Sequence, residues 1–445
     1  MELGSTVLRW ATEALSALAA GLCLLAPLAG CGGGSDSAPV VAQAGPASGS
    51  SGTPPATGGG APSSGGGAPA QGGGGASNPP PTVDRSVVLD GLRNPWDLAF
   101  TPDGALLYTE RSRGLSVRRS DGSTALLFVP ADLVAEGQSG MQGVVLDPGF
   151  ATNRTLYVYL SSNAGGAKDN RVVRLTVDAG YTAVANRADI LTGISYKSEP
   201  QPGDPGGSGA HNGGRIRFGP DGLLYVTTGD NHRGPLPQNL QALGGKVLRV
   251  DRDGKPAAGN ATPAGGDPRI YAYGFRNPQG LAFRPASGQP YISEHGPNHS
   301  DEVTALVAGG NGGWDPLCLN GTNYCGYTSN QRNGALTLMT DTAKFPQALR
   351  PAWSTGNDSD GMAAADFLRG AQWKAWDGAL AVAFLAGQRL EVLTLDAAGN
   401  ATAHSPLLAD QRTRLRAVVL GPDGSLYVTT DSRSGGDQIW RLTPR

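Results

Sequence analysis

The chain has 445 residues, 39% hydrophobic and 16% charged, with a formal net charge of −2. No Lys/Arg run exists, which argues against a nucleic-acid partner. Gly is abundant at 68 residues and helical periodicity is rare, so the composition points to a turn-rich all-β domain joined to a flexible segment.

Residues 1–30 read as an export signal. Arg9 supplies the positive charge, and the apolar run Ala14 to Ala29 is too short for a comfortable membrane span. The run ends in Leu28-Ala29-Gly30-Cys31, which resembles a bacterial lipobox. Cys31 is therefore the expected lipidation site, and Gly32 after it, in place of Asp, fits delivery to the outer membrane. The bland alternative is an ordinary secretory signal with an incidental Cys. Residues 31–83 are mostly Gly, Ser, Pro and Ala, and cannot bury a core. They are expected to tether an exported domain to the membrane through the lipid alone.

The rest of the chain, residues 84–445, repeats one unit. An apolar strand, a turn of the Pro-Asp-Gly type and a second apolar strand begin at Leu98, Val144, Ile216, Leu281 and Val418, with a degenerate copy at Met362. Pro presets such a turn and Gly takes its positive-φ position. Six hairpins predict a six-bladed β-propeller of four-stranded antiparallel blades, with a pair of β-sandwiches as the alternative. The C-terminal run from Gln438 is expected to share a blade with the strand from Ser86, which would remove the exposed edges.

Propellers place function where blade-connecting loops converge on the channel. His211 stands just before one hairpin, and Asp230 just after its second strand. A hairpin brings these positions together, so Asp230 could orient one nitrogen of His211 and leave the other as a base. A purely structural His–Asp contact would look the same in sequence. Arg276 and Asn277 stand before the next hairpin, where Pro278 stiffens the turn and Arg276 is expected either to fork an anion or, as a surface Arg, simply to cap the turn. Gly296-Pro297, followed by Asn298, Asp301 and Glu302, makes an oxygen-rich turn suited to a hard cation, or simply a polar loop. Arg412, Arg414 and Arg416 alternate, and on an extended strand would form a cationic rail or a solvated face. Cys318 and Cys325 are expected to pair as a local disulfide, contributing roughly 2–3 kcal/mol.

The segments GQSGMQGVVLDPGF, HNGGRIRFGPDGLLYVTTGD, GGKVLRV, YGFRNPQGLAF, SEHGPNHSDEV and GGNGGW occur in this order. Together they resemble the soluble, pyrroloquinoline-quinone (PQQ)-dependent aldose sugar dehydrogenases, the glucose/sorbosone dehydrogenase family, over about residues 88–445. The resemblance implies a six-bladed propeller that oxidises a sugar using PQQ and Ca²⁺. By position it implies His211 as general base and Asp230 as the carboxylate orienting it. Gln138 falls near the sugar; Arg276, Asn277 and His295 fall among the cofactor contacts. Arg414 and Arg416 match the pair holding cofactor carboxylates, and the carbonyls of Gly296 and Pro297 match the Ca²⁺ turn. Two positions depart from the pattern. Ala386 stands where some members carry a cofactor-binding Lys, with Arg389 three positions on, and His295 stands where some glucose-active members carry Gln. The electron acceptor and the sugar are not implied. A Ca²⁺-dependent propeller lactonase and a non-catalytic sugar-binding lipoprotein are the competing readings.

Overall fold

The computed structural model describes residues 79–199, 206–318, 324–325, 337–432 and 434–445. The signal, Cys31 and the tether up to residue 78 lie outside them. Among the described residues no helix is long and apolar enough to cross a membrane.

Six sheets form the blades of a propeller. The innermost strand of each is the first strand of one predicted hairpin: Pro95–Phe100, Met141–Leu146, Ile216–Phe218, Pro278–Phe283, Met362–Phe367 and Leu415–Leu420. Each contacts the next around the ring, and the last returns to the first. The degenerate unit at Met362 is thus a full blade. Blade three departs from expectation. To its four antiparallel strands it adds a fifth, Gly310–Asn311, paired in parallel with Ile270–Tyr273. The chain leaving blade four's third strand doubles back to cover that edge, as edge strands require.

Alternation along the strands buries one face of each blade against its neighbours. Leu107, Leu115, Val117, Val144, Leu156 and Val158, for example, pack blade one on blade two. The inner strands come so close that two positions require glycine. A Cβ at Gly280 would come within 2.9 Å of the Ala363 carbonyl on the next inner strand, and one at Gly143 would collide with the Gly214 carbonyl. The ring closes as expected. Val83–Leu92 pairs antiparallel with Asp437–Pro444, with Val87 opposite Trp440 and Leu89 opposite Ile439. The Arg85 guanidinium lies 4.6 Å over the Trp440 ring, adding a cation–π contact to the seam.

The channel is plugged midway by charge. Asp97 is fully buried and ion-paired to Arg215; its two carboxylate oxygens also accept Arg217 Nη2 and Nη1 at 2.8 and 2.7 Å. Burial works to raise the Asp97 pKa, but the two guanidinium groups outweigh it and hold the carboxyl below its ordinary value. Asp97→Ala would leave both guanidinium groups without this anion. It is expected to cost about 3–5 kcal/mol, measured by urea unfolding. An unchanged midpoint would show that the cluster does not hold the blades together.

Candidate active site

The inner strands begin at one mouth of the channel and end at the other. At the far mouth a cavity of about 490 Å³ is lined by Phe100, Phe218 and Phe283 with Arg217 and Asp366, and it holds none of the predicted site residues. At the near mouth a polar cavity of about 380 Å³ gathers Gln138, Asn277, His295, Arg414 and Arg416. His211 and Asp230 do not line it; both are buried, bonded Nδ1 to Oδ1 at 2.7 Å, and His211 adjoins the cavity through its neighbour Asn212 and through Gln138.

His211 has φ 50°, a left-handed conformation costing about 1–2 kcal/mol in a non-glycine residue. Its surroundings hold it there. Its N–H donates to Gln138 Oε1 at 3.2 Å, and its carbonyl accepts Asn231 Nδ2 at 2.8 Å. Gly229 passes so near that a Cβ there would collide with the same carbonyl. Gln138 therefore both lines the cavity and supports the His211 backbone.

Burial draws the His211 pKa well below the ordinary histidine value, and the charges of Arg276, His295 and Lys197 push the same way. The ring is neutral at pH 7, with its Nδ1–H given to Asp230. Burial pushes the Asp230 carboxyl up, against the pull of His232 and Arg276. Its Oδ1 also accepts the His232 N–H at 2.9 Å. The His232 ring lies 3.6 Å from that of His211, and its pKa too is driven down by burial.

Arg276 is not the exposed fork its sequence suggests. Its side chain is buried, and Nη1 donates to the His295 carbonyl at 2.6 Å. Buried Glu294 receives the N–H groups of both Arg276 and Asn277, the latter at 3.0 Å. Arg276 thereby ties the start of blade four to the loop that follows its second strand. Asn277 does line the cavity, and its Oδ1 accepts the Gly213 N–H at 3.1 Å. Glu302 does not belong to the polar turn; it is buried directly opposite Glu294 in the ladder. Burial, with Glu302 beside it, pushes Glu294 up to about 8, and burial pushes Glu302 up to about 7.

The Arg rail holds for two members. Arg412 is exposed at φ 45° and leaves the line of the strand, whereas Arg414 and Arg416 line the cavity with Arg111. Arg416 gives Nε to Asp431 Oδ2 at 2.6 Å and Nη1 to Gln279 Oε1 at 2.9 Å. Burial works to raise Asp431, but Arg416 outweighs it and holds the carboxyl at about 2. Ala386 is exposed, and Arg389 is engaged by Asp360 and Glu391, so neither supplies the cation that some relatives have there.

At the Gly296-Pro297 turn, Asp301 is already saturated. It accepts the N–H groups of Gly296, Asp360 and Met362 at 2.7, 2.9 and 3.0 Å and Ser359 Oγ at 2.8 Å. Among the described residues no group of three His, Cys, Asp or Glu side chains could hold a metal. A cation here would draw on backbone carbonyls and on oxygens from outside the protein. The predicted disulfide is present between Cys318 and Cys325, with the Cα atoms 5.2 Å apart. His299 bonds the neighbouring Ser300, and His404 pairs with Glu391 on blade five, away from the cavity.

Among the lining residues that sequence did not point to are Trp96, Gln142 and Gln279. With Arg416 they occupy one repeat position, two residues before the first apolar residue of their hairpins. Blade three has Gly214 there, where a Cβ would meet Gln142 Oε1 at 2.8 Å. Superposing the hairpins in sequence would have exposed this register.

A six-bladed propeller with an oriented, neutral His at the edge of an arginine-lined channel mouth has the architecture of a cofactor-binding enzyme site. The glucose/sorbosone dehydrogenase family model matches residues 92–441, and the chain belongs to that family. It is 32% identical to the aldose sugar dehydrogenase YliI of Escherichia coli over 82% of this chain and 94% of that protein. The apo structure of the soluble E. coli aldose sugar dehydrogenase aligns with TM-score 0.69 at 29% identity, covering 82% of this chain and all (100%) of the other. The PQQ-bound aldose sugar dehydrogenase of Streptomyces coelicolor aligns with TM-score 0.65 at 28% identity, covering 82% and 100%.

Proposed function

We propose that this chain is a PQQ-dependent sugar dehydrogenase that oxidises an aldose at its anomeric carbon to the lactone. The observation carrying this reading is the His211–Asp230 pair beside an arginine-lined cavity. PQQ is a flat tricarboxylate with a ring N–H. Arg111, Arg414 and Arg416 offer cations to its carboxylates. Gln142 Oε1, buried and without a hydrogen-bond partner among the described residues, offers an acceptor for a ring N–H.

Neutral His211 takes the sugar's anomeric hydroxyl proton at Nε2 as hydride leaves the same carbon. Asp230 fixes the tautomer and stabilises the imidazolium that forms. Asn277 and His295 bound the cavity, and Gln138 holds the His211 backbone in its strained conformation. PQQ, when bound, would supply the hydride-accepting carbon, and a Ca²⁺ held by the Gly296 and Pro297 carbonyls would supply a Lewis acid. We further propose export of the chain as a lipoprotein, anchored through Cys31 at the outer membrane and tethered by the segment between Cys31 and the closing strand, which begins at Val83 rather than after residue 83.

The test is dye reduction by the chain from residue 79, which keeps the closing strand, with PQQ, Ca²⁺ and a panel of aldoses. Sugar-dependent reduction is expected. Sugar binding without reduction by any aldose would leave a binding lipoprotein instead.

A further inference from the structure

The Asp230 carboxylate is gripped from behind by a segment that has no place in the chemistry above. Its Oδ2 accepts the Trp314 indole Nε1–H at 2.9 Å and the Tyr324 hydroxyl at 3.2 Å. Trp314 follows the extra parallel strand of blade three, and its N–H donates to the Gly274 carbonyl at 3.0 Å. Tyr324 directly precedes Cys325, which is bonded to Cys318 and gives its N–H to the Pro316 carbonyl at 2.7 Å. Trp314, Tyr324 and Met339 form a small buried cluster of their own. Tyr324 also stands edge-on to His232, with ring centroids 5.3 Å apart.

Asp230 thus meets four donors: the His211 ring, the His232 amide, the indole and the phenol. Indole and amide groups donate only. A proton on Asp230 would therefore displace one of these bonds, so the four together favour the carboxylate form, against the burial that pushes its pKa up. They also fix its plane, and with it the direction of the His211 ring.

We propose that Trp314 and Tyr324 are positioning residues that clamp Asp230 and through it His211, and that the Cys318–Cys325 disulfide holds Tyr324 in the clamp. This rests on reading His211 as the base. Reduction by a dithiol adds two electrons and two protons, leaves two thiols, and forms a disulfide in the reductant. It would cut the covalent tie between Cys325, next to Tyr324, and Cys318, leaving the Cys325 N–H bond to the Pro316 carbonyl.

Tyr324→Phe removes one donor and little volume. Asp230 becomes more basic and holds the His211 proton more tightly. Arg276, Lys197, His232 and His295, the other charged or titratable groups acting on His211, stay in place. His211 must be neutral to act, so the acid limb of kcat/KM moves to higher pH. A roughly 10-fold fall in kcat with KM nearly unchanged is expected. Cys318→Ser with Cys325→Ser, or dithiol reduction of the unaltered chain, should shift the limb in the same direction. Combined with Tyr324→Phe it should add little, because both act through one contact.

The deciding measurement is the ¹⁵N shift of His211 Nδ1 in the histidine-labelled full chain, without cofactor or sugar. A signal displaced in Tyr324→Phe and in the reduced chain supports the clamp, even if no sugar is ever oxidised; in that case only the dehydrogenase reading falls. An undisplaced signal in both, with the thermal melts showing folded protein, overturns the clamp whatever the turnover.

Discussion

His211→Ala is expected to lower kcat by roughly 10²–10⁴-fold, the usual worth of a positioned general base, while PQQ still binds. Arg416 is held by Asp431 and Gln279 and does not depend on His211, so a PQQ titration followed by fluorescence should give nearly the wild-type Kd. Full turnover in the variant would place the base elsewhere. The pH dependence has a definite sign. A base works only when unprotonated, and burial holds the His211 pKa well below 6.5 in the folded chain. The neutral fraction therefore stays near one as pH falls through 6.5, and kcat/KM should keep its plateau below the range where an exposed histidine would lose it. A limb centred at 6.5 or above would show that burial does not dominate the His211 proton.

Arg416→Ala is the second large effect. This side chain both faces the cavity and neutralises Asp431, which is 1% exposed. Its loss removes a partner for a cofactor carboxylate and strands a buried anion. Truncating one member of a buried, hydrogen-bonded charge pair costs about 2–5 kcal/mol in binding, so PQQ affinity should fall at least about 30-fold. The apo fold should lose about 3–5 kcal/mol from the stranded Asp431. The double variant Arg416→Ala with Asp431→Ala separates the two effects. Stability should largely return, while calorimetry should still show weak PQQ binding. Restored affinity would mean that Arg416 serves the fold alone.

The hairpins were legible in the sequence because strand, turn and strand are local and periodic. The closing pair was legible because both ends of the propeller read as strands. The two-residue parallel strand Gly310–Asn311 was not, since a strand that short has no period to detect. The His211–Asp230 pair could be found because a hairpin predictably joins the residues flanking it. Arg276 was misjudged as exposed, because what buries it is Glu294 and His295 on the paired strand and the loop beyond. Trp314 and Tyr324 could not be placed from sequence at all. They reach Asp230 across 84 and 94 residues, with no pattern tying them to it. Trp96, Gln142 and Gln279 were hidden differently. Each looks ordinary alone, and only their common place in the repeat points them to one mouth.

The closing seam also sets the order in which the molecule can be made. Beyond the paired strands, the Asn94 backbone N–H donates to Asp437 Oδ2 at 2.9 Å, 343 residues further along the chain. Blade six lacks its third strand until Asp437–Pro444 has left the ribosome. Every earlier blade can form its own hairpin during translation, but the ring stays open until then. An open ring exposes the flank of blade one and the free edge of Val83–Leu92, the kind of unpaired edge that invites association between chains. Lesions in the last strand should therefore show first as lost yield and aggregation, with the surviving molecules nearly normal in turnover.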